Sequence, residues 1–482
     1  MKNLNFKIIL SLLGLATILN GLFMMVAVLF SIYYAEPASK DIITSGIITI
    51  LIGFMLWFFN RKATKNLGKK EAYLIVTFGW ILLVLTGTLP YFLTNSIPTF
   101  VDALFETMSG YSTTGASIIR DIEALPKGIL FWRSATHWIG GMGIIVLTIA
   151  ILPLLGIGGM QLFLAEAPGL SADKLHPRIT ETAKRLWLIY FGLTMAEFFL
   201  LKLAGMSWFD AINHAMATMS TGGFSTKNSS LAYWNYAPLI QYIVIFFMFI
   251  AGTNFVLTYF MLKGNFKKAI NNEEFKYYFF GIIGVSTLIT LLILFFQDPT
   301  LQTTIVDSKP FGEVESAIRH ALFQVVAVIT TTGFVSADYT MWNSFATIII
   351  FALFLIGGSA RSTAGGVKIV RHIIIIKNSF LEIKKLLHPN AVISVRLDGK
   401  FVHQHIVFNV LSFFVLYMLI FIIGSIVLTF FGLNFISAMS ATASSLSNIG
   451  PALGSVSPVN NYAHLSDHAK LFCSFLMLLG RL

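Results

Sequence analysis

The sequence contains little charge and a single cysteine, and both shortages exclude whole classes of protein. Only 11% of its 482 residues are charged, while 56% are hydrophobic, whereas about a quarter of the residues of a soluble globular domain are charged. Cys473 is the only cysteine, so an internal disulfide and a cysteine-based metal centre are both excluded. The sequence also lacks a nucleotide-binding glycine fingerprint and a phosphate loop. These shortages point away from soluble enzymes and nucleotide-binding proteins.

Long apolar stretches are present from end to end. Each is close to or longer than the ~20 residues that a helix needs to cross a bilayer. The first is much longer than the hydrophobic core of a signal peptide, so we interpret it as a true transmembrane helix. Together they predict an all-α polytopic membrane protein with stretches at about 8–33, 42–59, 72–94, 130–155, 183–204, 237–262, 276–296, 344–376, 405–431 and one that starts near 469.

Lysine and arginine are concentrated in alternate gaps between these stretches. Basic residues precede the first stretch and follow the second, fourth and sixth, and a further basic segment runs from Lys368 to Lys400. The positive-inside rule makes these gaps cytoplasmic, which predicts a cytoplasmic N-terminus. The net charge of +11 therefore indicates membrane orientation, and we expect no nucleic acid partner.

Four short polar turns, each containing a glycine, interrupt this apolar sequence at regular intervals. Non-helical backbone at membrane depth is tolerated only where it is buried in protein or lines a water-filled path. The turns are Ser112–Gly115, Ser220–Gly223, Thr330–Gly333 and Ser447–Gly450, and each follows one of four similar short segments, Phe100–Glu106, Trp208–His214, Val314–His320 and Phe435–Ala441. Such repetition predicts pseudo-symmetric units that share one core.

We therefore predict four pseudo-symmetric span–pore helix–span repeats around a central pore, preceded by an extra N-terminal helix pair. The predicted division of the chain is 1–70 for the helix pair, 71–170 and 171–268 for the first and second repeats, 269–390 for the third and 391–482 for the fourth.

The turns have the composition of an ion selectivity filter. Inward-pointing backbone carbonyls replace the hydration shell of a cation without a fixed charge that would trap it, and glycine allows positive φ and close approach. The alternative for any single turn is that small residues merely let helices pack, but four matching copies favour the filter. The predicted ion-binding residues are Thr113, Thr114, Gly115, Thr221, Gly222, Gly223, Thr331, Thr332, Gly333, Asn448, Ile449 and Gly450.

At these residues the chain resembles the Trk/Ktr/HKT superfamily of potassium transporters. The resemblance covers essentially the whole length and includes Phe131–Ile145, Gly357–Lys368 and Met477–Leu482. The extra helix pair is more like the TrkH/TrkG branch than the shorter KtrB branch. The resemblance implies potassium uptake, and Gly115 stands where a serine is associated with sodium selectivity in this family, which favours potassium.

Glycine, serine and threonine also interrupt the stretch at about 344–376, a composition typical of a broken helix or a simple kink. The resemblance implies that this segment is a loop that crosses the pore below the filter and gates it. The implied gate residues are Gly357, Gly358, Ser359, Arg361, Ser362, Thr363, Gly365 and Gly366, together with Arg481 of the final helix. Where we expect a glycine the chain has Arg361, whose side chain either points away from the pore or helps to set the gate.

Arg481 has two interpretations: an electrostatic barrier in the pore, as the resemblance implies, or an ordinary interfacial arginine. The chain stops one residue later, while family members continue this helix, so we expect that the sequence lacks its C-terminal end. The resemblance further implies a homodimer in the lipid of a bacterial cell inner membrane, in which each protomer has its own pore. It also implies a cytosolic, nucleotide-binding (TrkA-like) regulatory subunit. Potassium is then the substrate and the only expected metal, with no bound cofactor.

Two other functions compete with this one. A proton- or sodium-coupled cation symporter needs a buried carboxylate, for which Glu197 is the candidate. A membrane-embedded enzyme needs convergent catalytic groups at one membrane face, and the sequence shows no such cluster, so we expect no enzyme activity. Acidic residues near the predicted outer mouth either attract cations or act as caps and solvated charges; they are Asp102, Glu106, Asp210, Glu313 and Glu315. We expect His137 and His214 to pack or hydrogen-bond rather than to bind metal.

Overall fold

The fold is almost entirely helical, as predicted. The computed structural model describes residues 4–62, 69–150, 179–296, 309–388 and 393–482. Its helices are α1 Phe6–Tyr33, α2 Ser39–Asn60, α3 Lys69–Gly87, α4 Leu89–Leu93, α5 Phe100–Tyr111, α6 Lys127–Ala150, α7 Ile179–Leu203, α8 Trp208–Met219, α9 Pro238–Ala251, α10 Phe255–Leu262, α11 Phe266–Ile270, α12 Glu273–Phe296, α13 Glu313–Ile329, α14 Ser344–Leu353, α15 Ile369–Leu387, α16 Gln404–Phe430, α17 Phe435–Ser447 and α18 Asp467–Arg481. The described strands are β1 Arg396–Leu397 and β2 Lys400–Phe401, which pair antiparallel.

Six helices in the described ranges are long and apolar enough to cross a membrane. They are α1, α2, Tyr73–Leu93, Arg185–Leu203, α12 and α16. Large apolar side chains such as Leu19, Phe59 and Phe430 are exposed on them, which suits a lipid environment rather than water. The predicted stretch at 130–155 is described only as far as Ala150, and its remaining residues lie outside the described part of the chain.

The predicted apolar stretch at 237–262 is not one continuous helix. Helices α9 and α10 are separated by three residues and bent by 112°. The side chain of Asn254 accepts a hydrogen bond from the N–H of Val256, so Asn254 caps a new helix, and such a cap competes with continuation of the old one. The stretch at about 344–376 is also broken, as predicted, because α14 ends at Leu353 and α15 begins at Ile369.

The two N-terminal helices form the predicted pair, and glycines set their spacing. A Cβ added at Gly14 would lie 2.6 Å from the carbonyl oxygen of Gly53, and one added at Gly53 would lie 2.7 Å from that of Gly14. Gly21 and Gly46 make a second close approach along the same helices. Small residues are the usual means by which membrane helices pack tightly, since lipid provides little hydrophobic drive.

Four buried helices, α5, α8, α13 and α17, occupy the predicted pore-helix positions, and we call them the first to fourth pore helices. The third has 17 residues, against 12, 12 and 13 in the others. Counted back from the glycine of its turn, the residue equivalent to Glu106 is Gln324 and not His320. The segment Val314–His320 was predicted to match the other three short segments, but it lies one helical turn further from its turn glycine than they do. The reason is that the third helix begins earlier than the others.

Candidate functional site

The four pore helices end in the same backbone motif. A residue at the end of each helix is in the left-handed region, with φ of 55° at Thr113 and Thr221, 54° at Thr331 and 57° at Asn448; it follows the C-cap in the first three helices and is the C-cap of the fourth. The following N–H groups donate to the last helical turn, Thr114 to Ser109 at 2.9 Å, Gly222 to Ala217 at 2.8 Å, Thr332 to Ala327 at 2.8 Å and Ile449 to Ser444 at 2.9 Å. This is a Schellman motif with threonine or asparagine where glycine is usual. It turns the chain out of all four helices in the same way.

The four turns lie side by side in a closed ring. Their glycines have positive φ, and a Cβ on any of them would meet a carbonyl oxygen of the next turn. The distances from that Cβ are 2.2 Å from Gly115 to Gly222, 2.0 Å from Gly223 to Thr332, 1.9 Å from Gly333 to Ile449 and 2.5 Å from Gly450 to Thr114. The contacts pass through the turns in chain order and return to the first. Only glycine fits such an approach.

One cavity opens directly onto this ring. It has a volume of about 190 Å³, and all four turn glycines line it. Lys227 lies in its wall and donates to Glu123 at 3.2 Å. Burial opposes the charge of Lys227, but the hydrogen bond and the nearby carboxylates outweigh burial and raise the pKa of Lys227. The ring therefore brings together all twelve residues predicted for the filter, with their glycine end toward the cavity.

A buried ion pair between α5 and α6 supports the ring. The Nε of Arg133 lies 2.6 Å from the carboxylate of Glu106, and both side chains are buried. The same carboxylate accepts the Ser117 hydroxyl at 3.1 Å and the Ile118 N–H at 3.0 Å. Arg133 also donates to the carbonyl oxygen of Ser225 at 2.9 Å. Both charges of the pair therefore have partners. Because Ser225 follows the second turn and Glu106 belongs to the first pore helix, the pair ties the first turn to the second.

Two histidines support the same region by hydrogen bonding. His137 accepts the N–H of Phe224 at 3.2 Å on Nε2, so its Nδ1 carries the proton and donates to the carbonyl oxygen of Gly110 at 2.6 Å. A Cβ on Gly222 would lie 2.4 Å from the His137 ring, so this ring backs the second turn. His214 contacts the Asp210 carbonyl at 2.7 Å and the Ser225 hydroxyl at 2.9 Å. Both histidines have the expected hydrogen-bonding role.

The acidic residues predicted near the outer mouth are paired or hydrogen-bonded in the structure. Glu106 pairs with Arg133, Asp102 with Lys470 at 2.6 Å, Glu315 with Arg319 at 2.8 Å and Glu313 with Lys309 at 3.2 Å, while Asp210 accepts the hydroxyls of Ser207 and Thr226. Of the two interpretations of these carboxylates, the structure favours pairing and capping over a ring of free charge.

The break between α14 and α15 is a loop, residues 354–368, that lies against the ends of three pore helices. The Thr363 hydroxyl donates at 3.2 Å to the carbonyl oxygen of Met219, the last residue of the second pore helix. The Gly365 N–H donates to the Thr331 hydroxyl at 2.6 Å. A Cβ on Gly365 would also lie 2.3 Å from the carbonyl oxygen of Ser447, at the end of the fourth. The loop therefore lies on the side of the ring away from the cavity.

Arg481 reaches this loop. It donates to the carbonyl oxygens of Thr363 at 3.1 Å and Gly140 at 3.4 Å, and it is buried. Its neighbour Gly480 makes the approach possible, because a Cβ there would lie 2.0 Å from the carbonyl oxygen of Leu446. This position does not fit an interfacial arginine that extends into the headgroup region.

Arg361 is in the left-handed region with φ of 60°, and its carbonyl oxygen accepts the Phe255 N–H at 3.2 Å. The buried carboxylate of Glu274 accepts the Ala360 N–H at 2.6 Å and lies near both Arg361 and Lys368. A carboxylate thus offsets the cations of the loop.

Two elements next to the loop were not predicted from the sequence, the carboxylate Glu274 and the break after α9. The carbonyl oxygen of Gly252 accepts the Ser359 N–H at 2.9 Å, so this second break holds the loop. The sequence does carry a signal for this break, because a glycine, a threonine and a capping asparagine follow one another at 252–254 within an apolar stretch.

We expect Glu106→Gln to destabilise the protein, because it leaves Arg133 buried with an uncompensated charge. Breaking a buried ion pair costs about 3–5 kcal/mol, whereas the double variant Glu106→Gln, Arg133→Met removes both charges and should recover part of that loss. The measurement is thermal stability in detergent, with Glu382→Gln of the exposed Glu382–Lys385 pair as the control. Equal stability of Glu106→Gln and the control would contradict the role given to the pair.

The chain is similar to known cation transport proteins over almost its whole length. The profile of the TrkH family, cation transport proteins, matches residues 38–482. The chain is 38% identical to the Trk system potassium uptake protein TrkH of Escherichia coli K12, over 99% of this chain and 97% of that protein. It is 32% identical to TrkG of the same organism, over 100% and 97%.

A solved structure gives the same result. The crystal structure of the potassium transporter TrkH from Vibrio parahaemolyticus superposes with a TM-score of 0.87 at 34% identity, over 99% of this chain and 97% of that one. Each match extends over nearly the whole of both chains. The chain therefore belongs to the TrkH family of cation transport proteins.

Proposed function

We propose that this chain is a potassium uptake protein whose ring of four turns is the selectivity filter. The closed ring carries the proposal, since four segments of polar backbone meet around one axis inside an apolar helical protein. Backbone carbonyls in such a ring replace the water around a cation. The relatives in E. coli are potassium uptake proteins by name, and Trk uptake proteins are transporters and not enzymes, which supports this assignment for the present chain.

The fold supports a pathway that passes from the cavity through the ring to the loop. The pore helices end at the ring, so their negative dipole ends face a cation held there. We assign the cavity to the outer side, because the basic segments between spans indicate a cytoplasmic N-terminus and an opposite exit for the turns. The four-repeat division at residues 1–70, 71–170, 171–268, 269–390 and 391–482 is part of this proposal.

The loop with its glycines is the proposed gate. It lies against three pore helices at once, and its many glycines give it more than one accessible conformation. Arg481 places a cation beside it, which acts as an electrostatic barrier until the loop moves. Glu274, Arg361 and Lys368 belong to the same charge cluster, and we assign Arg361 a role in setting the gate.

The proposed setting is a bacterial inner membrane in which two copies form a dimer and each has its own pore. Trk proteins carry the name of a system, which supports a cytosolic regulatory partner that binds nucleotide. The basic cytoplasmic segments are the proposed docking surfaces for that partner and for anionic lipid.

We expect Gly115→Ser to lower the preference for potassium over sodium. The Cβ would lie 2.2 Å from the carbonyl oxygen of Gly222 at a backbone φ of +82°, so the ring must distort. The measurement is rubidium and sodium uptake in cells that lack their own potassium uptake systems.

Gly205→Ser is the matched control, because Gly205 has φ of +100° but no atom within 4 Å of its Cβ. The control introduces similar backbone strain away from the ring and should keep the wild-type ratio. An unchanged ratio in Gly115→Ser would refute the filter assignment.

We expect Arg481→Gln to raise rubidium uptake severalfold and Arg481→Lys to raise it much less, because lysine keeps the charge of the barrier. Lys309→Gln is the control, because it removes a cation of the exposed Lys309–Glu313 pair outside the basic cytoplasmic segments, and it should have no effect. Uptake is measured at equal amounts of folded protein in the membrane. If Arg481→Gln leaves the rate unchanged, Arg481 is not a barrier.

A coupled cation symporter is the second candidate, and one observation favours it. Glu197 is fully buried, and neither carboxylate oxygen accepts a hydrogen bond within the described part of the chain. The neighbouring Thr218 hydroxyl donates instead to the carbonyl oxygen of His214 at 2.8 Å. An ionisable residue buried within a membrane span is a candidate member of a proton relay.

If the carboxyl group couples protons to cation entry, Glu197→Gln should abolish the dependence of uptake on external pH while some uptake remains. The pH profile of rubidium uptake is the measurement, and Gln241→Leu, which loses a buried amide of a neighbouring helix, is a control for packing damage. An unaltered pH profile in Glu197→Gln would remove the coupled mechanism through this residue.

A further inference from the structure

The fourth turn differs from the other three at the carbonyl oxygen of its glycine. The Gly450 oxygen accepts the Tyr462 hydroxyl at 2.9 Å, and the Ser444 hydroxyl shares its one hydrogen between this oxygen at 2.9 Å and the carbonyl oxygen of Pro451 at 3.0 Å. A carbonyl oxygen has two lone pairs; the Tyr462 hydroxyl occupies one, and the shared Ser444 hydroxyl lies within hydrogen-bond distance of the other. Within the described ranges, the oxygens of Gly115, Gly223 and Gly333 accept no hydrogen bond. The ring of glycine oxygens is therefore not four-fold.

The sequence makes this asymmetry a property of the fourth repeat alone. The positions equivalent to Tyr462, counted from the turn glycine, hold Lys127, Asn235 and Phe345, none of which carries a phenol. The positions equivalent to Ser444 hold Ser109, Ala217 and Ala327. Ser109 is informative, because its buried hydroxyl has no hydrogen-bond partner among the residues that the structure describes. A serine at this position does not by itself capture the carbonyl oxygen.

Tyr462 is fixed independently of the oxygen that it binds. Its N–H donates to the carbonyl oxygen of Ser117 at 2.8 Å, and its ring lies 5.4 Å from that of Phe105 in the first pore helix. The side chain is 2% exposed. The first repeat thus holds the hydroxyl in place, and the backbone of the fourth turn follows, with φ of 103° at Gly450 against 72–83° at the other three glycines.

We propose that Tyr462 and Ser444 withhold the Gly450 carbonyl oxygen from the permeating cation. This inference rests on the proposed filter. A monovalent cation at the level of the glycines is then bound by the oxygens of Gly115, Gly223 and Gly333, and water completes its shell. Such a site binds less tightly than a complete ring, which suits an entry site where an ion must both arrive and leave. Tyr462 and Ser444 are positioning residues, since neither touches the ion.

The direct test is anomalous diffraction from crystals of the full chain soaked in rubidium. We expect rubidium at the level of the glycines in contact with Gly115, Gly223 and Gly333 and out of contact with the Gly450 oxygen. Rubidium bound to the Gly450 oxygen would overturn this inference and leave the filter assignment intact. Absence of rubidium from the entire ring would overturn the proposed function and this inference together.

A pair of variants tests the same point in transport. The double variant Tyr462→Phe, Ser444→Ala frees the carbonyl oxygen, and the KM for rubidium should fall by about three- to tenfold, the effect of one added ligand of hydrogen-bond strength. Tyr339→Phe is the matched control, because the buried Tyr339 hydroxyl donates at 3.3 Å to Ala452, outside the ring of glycines. Its KM should not change. An unchanged or raised KM in a folded double variant, or an equal fall in the control, would show that the two hydroxyls only stabilise the turn.

Discussion

The close approach of four backbone segments around one axis is the constraint on which the rest of the structure depends. Each turn glycine lies so near a carbonyl oxygen of the next turn that a Cβ would collide with it. The approach also requires the residue two positions earlier to adopt a left-handed conformation, which costs about 1–2 kcal/mol for a residue other than glycine. Threonine at three turns and asparagine at the fourth accept this conformation. The surrounding helices must hold it in place.

The supports differ from one turn to the next, although the backbone motif is the same at all four turns. The first turn is braced by the buried Glu106–Arg133 pair and the second by the His137 ring. In the third repeat His320 and Gln324 bond to Ser336, and the fourth relies on serines and Tyr462. Repeats within one chain are free to diverge because each position is encoded separately. That freedom allows one glycine oxygen to differ from its three counterparts.

Non-helical backbone lies on both sides of the ring, the glycine ends of the turns facing the cavity and the loop after α14 packed against the pore-helix ends, as the cost of unsatisfied polar groups in lipid requires. The two broken helices meet there, since the loop after α14 bonds to Gly252 in the break after α9. Gly140 and Gly480 make equivalent contacts at the pore-helix ends, each with a Cβ position 2.0 Å from a carbonyl oxygen. The loop itself contacts the ends of the second, third and fourth pore helices.

The sequence alone determined the features that depend on composition and local chemistry. These are the helical membrane fold, the N-terminal pair, the four glycine turns, and the break near Gly357, because hydropathy, turn residues and repetition are local signals. Tertiary structure decided what depends on distant partners: the bend at Gly252–Asn254, the one-turn displacement of the third pore helix, and the pairing of Glu106 with Arg133. It also decided which hydroxyls reach the Gly450 oxygen. Tyr462 meets that oxygen only because Ser117 and Phe105 of another repeat hold it there, and no local pattern encodes such a contact.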